Sequence, residues 1–214
     1  AGSFDIKVNS LASGSRFETQ DMAFTSATDV VSTTDGTLSF TAGDKTFDID
    51  VTAGMTLNEL RRKLNDSSDN FGVNVNIVNA GGSVGSKLVF TSDITGEGND
   101  LVVSNNNAEL DRISTVPTGA TQVMEQKQTA KNAVIEIDGI LATSSSNTFK
   151  NAIQDIDITV KAITPENNNA SLDVAYDKEA VEENINAFIT SYNALVDQVN
   201  NLTKFRTLGS DGKT

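Results

Sequence analysis

Between Val181 and Leu202 the apolar residues fall at Val181, Ile185, Phe188, Tyr192, Leu195, Val199 and Leu202, in steps of 4, 3, 4, 3, 4 and 3. A 3.5-residue period held for three repeats is the seam of a helix that packs on another helix, and it constrains the fold more than any other stretch. Asp177 stands ready as an N-cap, and Glu179, Glu182 and Glu183 occupy the first turns, where the helix dipole favours anions. Such a helix runs about 33 Å at about 1.5 Å per residue. Ile189 and Val196 widen the stripe, so docking against the chain's own β layers competes with a partner helix. The seam favours the partner helix. No other segment here can supply it, because TLNELRRKLN (56–65) is too short and belongs to another unit. Burying six such side chains contributes on the order of ten kcal/mol at about 1.5–3 each, before entropy. The partner is expected N-terminal to Ala1 or on another chain. The start Ala1-Gly2-Ser3, without an initiator Met, reads as a piece of something longer.

The remainder reads as β with one short helix. Phe4, Ile6 and Val8 alternate with Asp5, Lys7 and Asn9, as in a half-buried strand. A Ser/Thr-rich irregular stretch follows to about Asp35. Leu38/Phe40 and Phe47/Ile49/Val51 spell two strands around Ala42-Gly43-Asp44-Lys45. Thr56 and Glu59 then form a capping box, with Leu57, Leu60 and Leu64 on one helical stripe. Strands are predicted again at Val73–Ile77, Leu88–Phe90 and Leu101–Val103, giving an α+β unit whose helix covers one face of an antiparallel sheet. Residues 104–130 are polar and irregular, with Pro117 and Gly119 as breakers. Val134, Ile135 and Ile137, then Asp138-Gly139, then Ile140 and Leu141 predict a two-residue type I′ hairpin. Thr143-Ser144-Ser145-Ser146-Asn147-Thr148 follows without an apolar face, before strands at 156–162 and 171–176.

Composition removes several functions. With 16 Lys+Arg against 29 Asp+Glu the formal charge is −13, which argues against nucleic acid. Arg61-Arg62-Lys63 reads as a solvated helix face. The absence of His, Cys and Trp removes the commonest general base, the thiol nucleophile and the usual zinc and copper ligands. No apolar run approaches the roughly 20 residues of a membrane span, and no signal peptide is visible. GGSVGS (81–86) lacks the Lys-Ser/Thr and the helix of a phosphate loop, so it reads as a strand connection. Asp93-Ile94-Thr95-Gly96-Glu97-Gly98-Asn99-Asp100 lacks calcium-loop spacing and reads as a solvated turn, with a weak cation site as the alternative. No nucleophile, base and orienting group come together. No enzyme, catalytic residue, cofactor or metal is expected.

Taken in order, GSFDIKVNSLA, GTLSFTAGDKTFDIDVTAGMTLNELRRKLN, VNVNIVNAGG, KLVFTS, AKNAVIEIDGILATSSSNTFKNAIQDIDITVKA and FITSYNALVDQVNNLT resemble the bacterial flagellar filament cap family, hook-associated protein 2. The second to fourth pieces look like the insert motif shared with flagellins, at about 36–92. The resemblance implies a mainly β fold with some α, in which two β-rich domains, one inserted in the other, precede a long heptad-patterned helix. It divides the chain into an inner β domain of 1–28 with 129–176, an outer α+β domain of 29–128, and a leg helix from 177 to 214 whose partner is the N-terminal leg helix. The hydroxyl run becomes a connection inside the inner domain, its side chains satisfying backbone groups that no ladder reaches. The implied function is mechanical. Copies form a homo-oligomeric plate at the distal tip of the extracellular flagellum, retain exported flagellin and promote its folding and polymerisation. Implied partners are the protein itself, flagellin, an export chaperone before secretion and host surface glycans, with no nucleic acid or membrane. The alternatives are an adhesin-like module and a hook–filament junction or flagellin-type structural protein.

Overall fold

The computed structural model describes residues 2–119, 123–166, 168–175 and 177–204. The chain divides into two compact units, Phe4–Ser171 and a second formed by residues 172–214 with the first three.

Strand β1 (Gly2–Ser10) buries Ile6 and Val8 on one face, as its alternation requires. Its antiparallel neighbour is β9 (Ala133–Ile137), with Ile6 opposite Ile137 and Val8 opposite Ile135. The chain therefore leaves this sheet after β1, builds the elements between residues 14 and 128, and returns more than a hundred residues later to the adjacent position. This is an insertion, and the pairing register fixes it. Strand β10 (Ile140–Ser144) closes on β9 through Asp138-Gly139, whose φ angles of 48° and 85° meet the type I′ requirement. With β13 (Ala170–Val174) the order is β10-β9-β1-β13. The sequence-predicted end of β13 at Tyr176 lies outside the described residues.

The inserted part carries two sheets where one was expected. The first, β5 (Val73–Gly81), β6 (Gly85–Thr95), β2 (Gly14–Glu18) and β8 (Glu125–Gln128), runs in the order β5-β6-β2-β8. The second orders β4 (Lys45–Val51), β3 (Gly36–Ala42) and β7 (Val102–Asn105) as β4-β3-β7. Between β4 and β5, α1 (Leu57–Asn65) turns Leu57, Leu60 and Leu64 into the core. One continuous cluster then joins the helix to both sheets. Phe40 of β3 stands edge-on to Phe90 of β6 at 5.4 Å and stacks on Phe47 of β4 at 4.9 Å. Such pairs add about 0.5–1.5 kcal/mol each beyond area burial.

Three stretches read as irregular carry regular structure. Strand β2 lies inside the Ser/Thr-rich stretch and pairs with β6, so the chain has joined the β5-β6-β2-β8 sheet by Gly14. Only Phe17 announces it, because its other buried positions are Gly14 and Ser15. Within 104–130, a 3-10 turn at Ala108–Ile113 buries Leu110 and Ile113, and β8 follows at the sheet edge. The hydroxyl run ends in strand β11 (Thr148–Ile153), paired with β12 (Ile156–Thr159). At its turn Ser144 Oγ donates to the Thr148 carbonyl at 2.8 Å, and Asn147 Oδ1 accepts from the Ala12 amide at 2.8 Å. The hydroxyls and the amide satisfy backbone groups between ladders.

Candidate functional site

Helix α2 (Lys178–Thr203) is the element whose chemistry is left open. Asp177 caps it, its Oδ1 accepting from the Ala180 amide at 2.9 Å, and Glu179 lies in the first turn. Its 26 residues make it about 39 Å long at about 1.5 Å per residue. Thr190 and Thr203 return their hydroxyls to the carbonyls of Asn186 and Val199, both at 2.9 Å or less. These polar groups need no outside partner. The apolar ones are different.

No described residue of α2 is buried. The structure places Val181, Ile185, Phe188, Tyr192, Leu195, Val199 and Leu202 on one side of a single helix, with exposures from 49% at Val199 to 82% at Leu202. Ile189 and Val196, at 47% and 38%, flank them. Phe188 and Tyr192 stack with centroids 6.3 Å apart, presenting a flat aromatic step in the seam. An exposed apolar strip of this length marks an interaction surface. Residues 205–214, the remainder of the expected leg helix, lie outside the described residues.

The other candidates resolve into structure. Arg62 and Lys63 are exposed, Arg61 reaches Asn58 Oδ1 within α1 at 3.2 Å, and Lys63 Nζ donates to the Asp50 carbonyl at 2.7 Å, so one residue of the basic triplet ties α1 to β4. GGSVGS forms the β5–β6 turn. A Cβ at Gly85 would stand 2.3 Å from the Phe24 carbonyl oxygen, and only glycine admits that approach. Asp93 accepts from Asn74 Nδ2 at 3.0 Å, and Asp100 Oδ1 from the Ala130 amide at 2.6 Å. Among the described residues no cluster of three or more ligating side chains could hold a metal ion. None of their helices is long and apolar enough to cross a membrane. On the outer sheet Lys87 bridges Asp21 and Glu18, and Lys127 bridges Glu18 and Glu125. The hydrogen bond from Lys87 to Asp21, with both neighbouring carboxylates, raises the lysine pKa against the desolvation that burial imposes. Sequence reasoning also missed that Ile140 and Leu141, next to the hairpin turn, are 72% and 65% exposed.

A β-rich body with one β unit inserted in another, followed by a helix with an exposed heptad strip, defines a structural module and not a catalytic fold with a formed site. Residues 130–214 match the family model described as flagellar hook-associated protein 2 C-terminus, and residues 37–93 match the flagellin hook IN motif. The flagellar hook-associated protein 2 of Aeromonas caviae is 40% identical over 211 residues, which cover 96% of this chain and 44% of that protein. The crystal structure of FliD (HAP2) from Pseudomonas aeruginosa PAO1 superposes with a TM-score of 0.71 at 28% identity, covering 98% of this chain and 95% of that one. The D1-D2-D3 domains of the flagellar cap protein FliD from Escherichia coli give 0.71 at 27% identity, covering 96% and 57%. The chain belongs to the flagellar hook-associated protein 2 family. It spans about half the length of the curated relatives it matches.

Proposed function

We propose that this chain is part of a filament-cap subunit at the distal end of the bacterial flagellum. In that role the full-length protein is extracellular and non-catalytic. It assembles with copies of itself into a plate, retains exported flagellin and promotes its folding and polymerisation, and an export chaperone holds it before secretion. One observation carries the reading: an exposed seam of seven residues on α2, in a chain whose structural relatives are described as flagellar cap proteins. We assign Val181, Ile185, Phe188, Tyr192, Leu195, Val199 and Leu202 to contact with a leg helix lying in the part of the relatives' length that this chain does not span. The formal charge of −13 supports solubility of a tip-exposed plate.

The test uses bacteria deleted for the gene of the full-length parent. Monomeric flagellin is expected to accumulate in the medium while filaments are short or absent, and the intact gene restores them. A parent carrying Ile185→Glu and Leu195→Glu is expected to leave the leak unrepaired, because two carboxylates in a helix–helix seam meet apolar partners without compensation. Normal filaments and no leak in the deletion strain would sink the cap reading. Full rescue by the double variant would remove the seam assignment alone.

A further inference from the structure

Two stretches singled out in the sequence take no part in the proposed seam: the acidic turn at Asp93–Asp100 and the hydroxyl run at Thr143–Thr148. The structure brings them to one place. We propose that they are the two halves of a clasp that locks the β1–β9–β10 sheet and the β5-β6-β2-β8 sheet into one rigid body.

The chain crosses between these sheets twice, after β1 and before β9. The crossings lie side by side, with Ser13 and Lys131 exchanging backbone hydrogen bonds at 3.0 and 2.9 Å. Two strands of linker paired only to each other would make a ribbon free to bend, because a hinge needs a few residues able to absorb changes in φ and ψ. Here those residues are tied from both sides. From the outer sheet, the Gly96 amide donates to the Lys131 carbonyl at 3.2 Å, and the Glu97 amide donates to Asn132 Oδ1 at 2.9 Å. Asp100 Oδ1 takes the Ala130 amide at 2.6 Å. From the inner side, Asn147 holds the other crossing through both amide atoms, accepting from Ala12 N at 2.8 Å and donating to Ala12 O at 3.3 Å.

The halves also touch directly. Thr95 Oγ1 donates to the Ser145 carbonyl at 2.6 Å. At Gly96, with φ +101°, a Cβ would lie 2.6 Å from the Ser145 Cβ and 3.1 Å from its Cα. Glycine alone permits both the conformation and the approach. The clasp thus engages each crossing separately and joins the two turns to each other at Thr95, Gly96 and Ser145. Bending at the junction would break these bonds together.

The full chain has no Cys, so nitroxide labels at Asn76→Cys in β5 and Leu141→Cys in β10 report one distance across the junction by pulsed electron spin resonance. A single narrow distance distribution is expected. Asp100→Ala with Asn147→Ala is expected to broaden or split it while far-UV circular dichroism stays unchanged, and Gly96→Val is expected to shift it. A broad distribution in the unsubstituted pair, or a narrow one that survives all three substitutions, overturns the proposal. Amide exchange in the unsubstituted chain decides the matter should a variant fail to fold. Ala12, Glu97 and Ala130 are expected to exchange as slowly as strand amides, and loop-like exchange at all three overturns the clasp. Neither readout depends on cap activity, so the cap reading and the clasp fail separately.

Discussion

The two helices of this chain carry the same kind of stripe and meet opposite fates. In α1, Leu57, Leu60 and Leu64 are fully buried between two sheets. In α2, seven apolar residues at heptad spacing stand 49–82% exposed. Local sequence is equally good in both: each has an acid-compatible N-cap, Thr56 or Asp177, with its side chain on an amide of the first turn. What differs is period and length. Three leucines on a nine-residue helix fit one sheet-lined pocket, whereas a narrow 3.5-residue seam over 26 residues suits a straight partner of similar length. A helix can thus be complete in its hydrogen bonding and still be energetically unfinished.

The largest effect that would break this comparison comes from paired truncations. Leu60→Ala empties a fully buried site and is expected to cost about 2–5 kcal/mol in urea unfolding. Leu195→Ala, at a position 58% exposed, is expected to change stability by less than about 0.5 kcal/mol in the same assay. Equal losses at the two sites would mean that α2 is buried in solution.

A smaller effect sharpens the question of how the outer region stays closed over α1. Arg112, at the end of the 3-10 turn, donates to the carbonyls of Ala23, Val30 and Val31 at 2.7–3.0 Å and lies 4.2 Å above the Phe24 ring. Those residues belong to the irregular stretch that covers the start of α1, where the carbonyls of Asp29 and Ala27 accept from the Leu57 and Asn58 amides. Arg112→Ala leaves three carbonyls without this donor and removes the cation from the ring. We expect a loss of about 2 kcal/mol, with faster amide exchange at Val31 and Leu57. Unchanged exchange there would show that the stretch is held by its apolar contacts alone.

These contacts explain what the sequence could and could not disclose. The capping box, the leucine stripe, the Asp138-Gly139 hairpin and the heptad seam are all encoded within a few residues, so their periods are visible on inspection. The family resemblance added the insertion, which β1 and β9 make concrete by pairing Ile6 with Ile137. Strand β2 stayed hidden because it buries a glycine and a serine beside one phenylalanine. The 3-10 turn stayed hidden because its polar side chains are satisfied far along the chain. Asn107 reaches Ser32 and Thr34, and Glu109 reaches Ser32 and Thr33, all more than 70 residues away. No local periodicity registers such bonds. On α2, seven exposed apolar residues were legible and what covers them was not, since a seam specifies spacing and polarity without specifying what fills it.

The smallest expected effect concerns Glu109, and it tests whether that long-range polar stitching contributes to stability as the buried leucines do. The Thr33 amide, then the Thr33 and Ser32 hydroxyls, donate to its carboxylate and hold its pKa below the ordinary glutamate value, against a minor desolvation cost. A carboxyl whose pKa is depressed on folding stabilises the native state above its unfolded pKa of about 4.3, and that contribution disappears as pH falls through the folded value. Glu109→Gln should therefore lower the melting temperature more at pH 7 than at a pH well below the ordinary glutamate value, where the contribution is being lost. Asp29, held by Thr25, Glu59, held by Thr56, and Glu125, held by Lys127, are shifted in the same direction and add to the acid sensitivity. Leu60→Ala, by contrast, should carry its penalty at both pH values, since no proton is linked to a cavity. A pH-independent loss in Glu109→Gln would assign the residue's role to packing and hydrogen-bond shape, and the contrast between an ionic stitch and an apolar core would fail at this point.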